Sequence, residues 1–125
     1  MNSYDDVRSF MRAGDQQVHN TPSVSDDRVA QCTLYMKLVK EEFEELMRAW
    51  GDKDLVEVAD ACADLKWVIE GLEHSLGIPQ QAVWDEVARS NMSKLVDGKL
   101  IKREDGKVLK PDTFIPPNIK KVLES

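Results

Sequence analysis

The sequence predicts an all-α fold, a helical hairpin or bundle carrying a small β-hairpin arm near the C-terminus. Three observations point there. Apolar residues recur at three- and four-residue intervals through most of residues 25–95, Gly51 and Gly77 punctuate that pattern, and strand-like alternation appears only after Val96. At 125 residues the chain is long enough to bury a core without disulfides or a structural metal, and it is expected to form one globular domain with a short N-terminal extension.

The elements follow in order. Tyr4, Val7, Phe10 and Met11 share one helical face, so a short amphipathic helix is expected over about residues 4–11. Residues 14–25, with His19-Asn20-Thr21-Pro22-Ser23, read as a linker, and residues 1–24 are expected to stand as an N-terminal helix and linker ahead of a domain at 25–125. Ser25 or a neighbouring Ser or Asp is a fitting N-cap, with Asp26 and Asp27 near the positive end of the helix dipole. That helix should run to about Trp50 with Tyr35, Met36, Val39, Phe43, Leu46, Met47 and Trp50 on one face, stopping at Gly51.

A second long helix is expected from about Asp54 to Ser75. It places Val58, Ala61, Cys62, Leu65, Val68, Ile69 and Leu72 on one face and ends before Gly77. The short connection makes these two helices antiparallel neighbours. Pro79 suits the start of a third helix, reaching towards Met92 and Leu95. Asp97-Gly98 and Asp105-Gly106 are turn signals around Leu100-Ile101 and Val108-Leu109, which fits a small hairpin. Residues 119–123 read as a terminal helix or a docking tail.

Charge divides the chain. Residues 1–88 hold 8 basic and 18 acidic side chains, whereas residues 89–125 hold 9 basic and 5 acidic. A net charge of −6 argues against a general nucleic-acid binder, whose affinity would rest on Lys and Arg neutralising phosphates. One end could hold cations and the other phosphates. No apolar run approaches the roughly 20 residues a bilayer span needs, so no membrane role is expected. Two cysteines without CxxC spacing fit reduced thiols in a cytoplasmic setting.

The first chemical constellation is Glu41-Glu42-x-x-Glu45 followed, after 11 residues, by Glu57-x-x-Asp60 and then Asp64. Glu41, Glu42 and Glu45 border the apolar face of their helix, and Glu57, Asp60 and Asp64 form a strip beside the apolar face of the next. Packing the two faces brings about six carboxylates to one seam. At roughly 5 Å and an effective dielectric of about 20, two such charges repel by ~3 kcal/mol, so the cluster calls for a cation or for protonation. Oxygen-only ligands favour Mg²⁺, with Mn²⁺ able to substitute. A solvated acidic face is the bland reading of any single EExxE.

These motifs resemble those of MazG-like and phosphoribosyl-ATP pyrophosphohydrolase-like enzymes, all-α nucleoside triphosphate pyrophosphohydrolases. Arg89-Ser90-Asn91-Met92-Ser93-Lys94-Leu95 and residues 103–111 are similar to downstream stretches of the phosphoribosyl-ATP branch. The resemblance spans about residues 29–123. It implies cleavage of a nucleoside triphosphate between its α- and β-phosphates, giving the monophosphate and pyrophosphate. It further implies that Glu42, Glu45, Glu57 and Asp60 are metal ligands, with Glu41 a further ligand or the base for the attacking water, a role for which Glu45 is the other candidate. Asn91, Lys94, Lys107 and Lys110 are implied phosphate contacts, with ordinary surface lysines as the alternative.

The resemblance also implies a homodimer or homotetramer, since family members pack helices across subunits. Deoxynucleotides are the expected substrates. Phosphoribosyl-ATP is disfavoured because no fused histidine-pathway domain accompanies the motifs. A short stand-alone chain of this kind is also similar to phage-encoded forms, which implies supply of deoxynucleoside monophosphates, dGMP among them, in a host cytoplasm. The rival from another class is a non-catalytic helical oligomer whose acidic seam binds a structural cation or a basic partner. No GxxxxGK[ST] is present, which excludes a P-loop enzyme. His19 and His74 lack ExxH spacing and read as surface or linker residues. Trp50 and Trp84 read as core or interface, whereas Trp67, beside the acidic strip, is the tryptophan placed to stack on a base.

Overall fold

The computed structural model describes residues 2–125, which form two compact units, residues 2–79 and 80–125. The first unit holds three helices, α1 (Ser3–Ala13), α2 (Val29–Gly51) and α3 (Leu55–Leu76), with a single 3₁₀ turn at Asp26–Arg28 leading into α2. The second holds α4 (Gln80–Met92) and α5 (Ile119–Leu123).

α2 and α3 form the expected antiparallel hairpin and pack along each other, while α1 packs on α3. The core of the first unit is Val7 and Met11 of α1, Tyr35 of α2 and Val68 of α3, flanked by Leu38, Leu65 and Leu72. Gly71 lets this core close. A Cβ on it would lie 2.2 Å from Cε1 of Tyr35, so only glycine admits the ring there.

Local chemistry sets the helix ends. Asp54 caps α3 by accepting from the Glu57 backbone N–H, and Gly77, at φ +69°, ends α3 in the left-handed conformation. At the end of α2 the expectation is corrected. Gly51 stays helical and Lys53, at φ 56°, takes the left-handed position, because the tight connection reverses two residues later. Arg28, 7% exposed, ties the connector to the end of α3 by donating to the carbonyls of Thr21 and Leu76.

Two further expectations change. The wide apolar face of α2 is only partly covered. Val29, Met36, Phe43, Met47 and Trp50 are half or more exposed, because α3 packs against the edge carrying Tyr35, Leu38 and Ala49. The C-terminal β-hairpin does not form. Among the described residues there is no strand, only isolated antiparallel bridges between Val96 and Lys99 and between Lys102 and Val108. Two short segments with no sheet or helix to pack on make too few ladder bonds for a stable hairpin.

In the second unit, Ser90 is buried and donates to the Ile115 carbonyl, while Glu86 accepts from the Asn118 backbone N–H and from Arg89. The Arg89 hydrogen bonds, then the Asn118 N–H, hold the Glu86 carboxyl down at about 2. These bonds anchor the irregular C-terminal segment to α4.

Candidate functional site

The hairpin places carboxylates from both helices together. One carboxylate oxygen each from Glu42 and Glu45 of α2 and from Asp64 of α3 lie within 4.8 Å of one another. Glu42 and Glu45 are three residues apart and therefore neighbours on α2, and antiparallel packing sets Asp64 against them. Asp60 lies one turn before Asp64 on the same helix.

The electrostatics carry the signature of crowded acids. Burial first, then the charge of Glu45 and a hydrogen bond with its carboxyl, then Asp64 and Asp60, push the Glu42 carboxyl above the ordinary carboxylate range. Asp64 is raised in the same sense by burial, then by the charge of Asp60 and its hydrogen bond. Glu42 Oε2 is buried and has no hydrogen-bond partner. An orphaned carboxylate oxygen is expensive unless a cation or proton satisfies it.

That observation is the test of metal fit. Oxygens sharing one Mg²⁺ at about 2.1 Å lie roughly 3–4 Å apart, so small rotamer changes would close three oxygens already within 4.8 Å onto an ion. The donor set is all oxygen, which suits Mg²⁺ or Mn²⁺. The residues fit the ion.

Glu57 sits at the other side of the seam. With Glu45, Arg48, Asp52 and Asp54 it lines a cleft of about 330 Å³ at the closed end of the hairpin. It stands in the first turn of α3. Glu41 is exposed and lies outside the close trio. Asp64, which the spacing placed on the strip without a ligand role, is the residue the fold draws into the trio in addition to the motif acids. Its signal was in the sequence, one helical turn after Asp60.

The basic residues belong to the second unit. Lys94 lies just past the end of α4, where Nζ donates to Asn91 Oδ1 at 3.0 Å. Lys94 and Lys110 both approach the Phe114 ring, at 5.6 and 5.3 Å from its centroid. Lys107 is exposed beside the Lys102–Val108 bridge. In the first unit Trp67 is 37% exposed and meets Phe10 edge to face, with centroids 5.4 Å apart. Trp50 and Trp84 are exposed.

His74 is corrected from a surface residue to a buried one. It is 1% exposed, stacks on Tyr4 with centroids 3.6 Å apart, and donates from Nε2 to the Tyr4 carbonyl. Burial lowers its pKa and favours the neutral ring. Both cysteines are unpaired. Among the described residues no helix is long and apolar enough to cross a membrane.

Fold and seam together define an α-helical hairpin protein with clustered carboxylates suited to a divalent cation. Residues 7–91, more than half of the chain, match the phosphoribosyl-ATP pyrophosphohydrolase family, and the chain belongs to that family. It is accordingly a pyrophosphohydrolase of the nucleoside triphosphate type, a hydrolase acting on phosphoric anhydrides. No curated protein matches the chain.

Proposed function

We propose that the chain is a Mg²⁺-dependent pyrophosphohydrolase that converts a deoxynucleoside triphosphate to its monophosphate and pyrophosphate, with dGTP among the substrates. The observation that carries the reading is the Glu42, Glu45 and Asp64 trio with its orphaned Glu42 oxygen in a chain of this family. Glu42, Glu45, Glu57 and Asp60 are the proposed ligands, with Asp64 either joining them or orienting Asp60. A bound Mg²⁺ supplies charge neutralisation and orientation for the triphosphate.

Glu41, exposed beside the trio, is proposed to take the proton of the attacking water. The water oxygen bonds to the α-phosphorus, the bond from that phosphorus to the bridging oxygen breaks, and pyrophosphate departs with the electron pair. Asn91, Lys94, Lys107 and Lys110 are proposed phosphate contacts, supported by their charge and by the Lys94 and Lys110 side chains sharing Phe114. Trp67 is proposed to stack on the base. Asp64 and Asp60, three and seven residues before it, share its side of α3.

A homodimer or homotetramer is proposed, with a second copy covering Val29, Met36, Phe43, Met47 and Trp50. These residues form a stripe about 30 Å long on α2. Uncovered apolar patches of this kind mark interaction surfaces.

The test is a panel of the common deoxynucleoside and ribonucleoside triphosphates, dUTP and phosphoribosyl-ATP, each with Mg²⁺ or Mn²⁺, with monophosphate and pyrophosphate both measured. Pyrophosphate release that collapses in Glu57→Gln and Asp60→Asn supports the reading. Orthophosphate release, turnover unchanged by both substitutions, or turnover confined to phosphoribosyl-ATP overturns the reaction, the site or the substrate class respectively. Silence across the panel, with equal stabilisation by Mg²⁺ and Ca²⁺, favours a non-catalytic cation-binding oligomer.

A further inference from the structure

A second polar cavity, of about 300 Å³, lies where α1 meets the connector and the C-terminal end of α3. Tyr4, Arg8 and Arg12 are spaced by four on α1 and therefore share one face. Opposite stand His19 and Asn20 of the connector, with the buried His74 ring alongside. Two guanidiniums, two imidazoles and an amide line the cavity, and among the described residues no carboxylate does.

The cations there are underused. Among the described residues Arg12 makes no ion pair. Arg8 pairs with Asp5 through Nη1 at 2.8 Å, while its guanidinium carbon sits 5.4 Å from the Tyr4 ring centroid. Both arginines bear on His74, where their charges, together with burial, favour the neutral ring. The acids nearby, Asp5 on α1 and Glu70 and Glu73 on α3, stand outside the lining.

The walls are also fixed in place. The His19 backbone N–H donates to the His74 carbonyl at 2.9 Å, the Tyr4 hydroxyl donates to the Ile78 carbonyl at 2.9 Å, and His74 Nε2 donates to the Tyr4 carbonyl at 2.8 Å. Such cross-links set the positions of the groups before any ligand arrives, which lowers the ordering cost of binding.

We propose that this cleft is an anion site that takes a dianionic phosphate group on Arg8 and Arg12, with the Asn20 amide as a further donor. Guanidinium forks match the geometry of phosphate oxygens and donate to them in pairs. Asp64 and His74 are ten residues apart, about 15 Å along the α3 axis, so the cleft is separate from the carboxylate seam. It does not depend on the seam holding a metal. Free phosphate, pyrophosphate and a nucleoside monophosphate all carry the required group. A phosphate held there joins α1 to the connector and to the end of α3, so binding stabilises docked α1.

The experiment uses the full chain in EDTA at constant ionic strength, with chloride exchanged for inorganic phosphate, pyrophosphate or a nucleoside monophosphate. Binding is read by calorimetry and by thermal melting. A saturable rise in Tm is expected, with Arg12→Gln weakening binding about tenfold or more and Arg12→Lys falling between. Arg12 is exposed, so its substitution leaves the fold intact. The anion that binds most tightly in an Arg12-dependent way identifies the source. Equal shifts for chloride and all three phosphates, wild-type affinity in Arg12→Gln, or binding lost in Glu42→Gln but kept in Arg12→Gln overturns the inference.

Discussion

Replacing Glu42 with glutamine should stabilise the metal-free protein and abolish its stabilisation by Mg²⁺. Glu42, Glu45 and Asp64 bring oxygens within 4.8 Å, a spacing at which two full charges repel by ~3 kcal/mol at an effective dielectric of about 20. Glu45 is exposed, and burial first, then the neighbouring acids, push Glu42 and Asp64 above the ordinary carboxylate range. Solvent screening reduces the expected gain to about 1 kcal/mol, or about 3–5 °C in Tm for a chain of this size. Wild-type protein should instead gain about 2.7 kcal/mol when Mg²⁺ is present at a hundredfold excess over its Kd. Thermal melts at pH 8 in EDTA and in Mg²⁺ read both effects. A Glu42→Gln protein that is less stable than wild type in EDTA, or that Mg²⁺ stabilises as fully, refutes the picture of a strained seam awaiting a cation.

Glu73 gives a prediction in pH. Burial, then the charge of Glu70, push its carboxyl up from 4.5 to about 7, so the folded state binds the proton more tightly than the unfolded one. This contribution to stability should fall as pH rises from about 4.5 to 7 and level off above. Glu73→Gln should flatten that part of the profile in urea melts, and a profile unchanged by the substitution would count against it. Gly71→Ala should destabilise by about 1–3 kcal/mol despite the better helix propensity of alanine, because the new Cβ meets the Tyr35 ring. Equal or greater stability in denaturant would show that the ring moves freely. Met11→Ala, at a fully buried position, should cost about 2–5 kcal/mol, whereas an effect below 1 kcal/mol would mean that α1 contributes little to the core.

The hairpin was legible because period and punctuation agree. Apolar spacing defines α2 and α3, Asp54 and Gly77 mark the ends of α3, and the same register aligns the acids along one side. Asp64 joins Glu42 and Glu45 for that reason alone. What the pattern could not convey was tertiary choice. Tyr35 faces the core while Met36 faces outward, since α3 covers only one edge of a broad apolar face. His74 looked like a surface residue because its burial depends on α1, seventy residues away in the chain, packing its Tyr4 ring against it. Leu100-Ile101 and Val108-Leu109 alternate like strands, yet nothing in their own composition supplies the neighbour that a two-stranded ribbon needs.

The two ways of closing the first unit differ in the length of chain they enclose. The α2–α3 hairpin turns over Asp52–Asp54, so its contacts are local, whereas α1 is held by bonds from Ser3 to Glu70, Tyr4 to Ile78 and His74 to Tyr4. Local contacts form early in folding and distant ones late. Amide protons should therefore exchange in two classes. Those of α1 open in a sub-global step in which the helix lifts away, and the central turns of α2 and α3 exchange only when the whole unit unfolds.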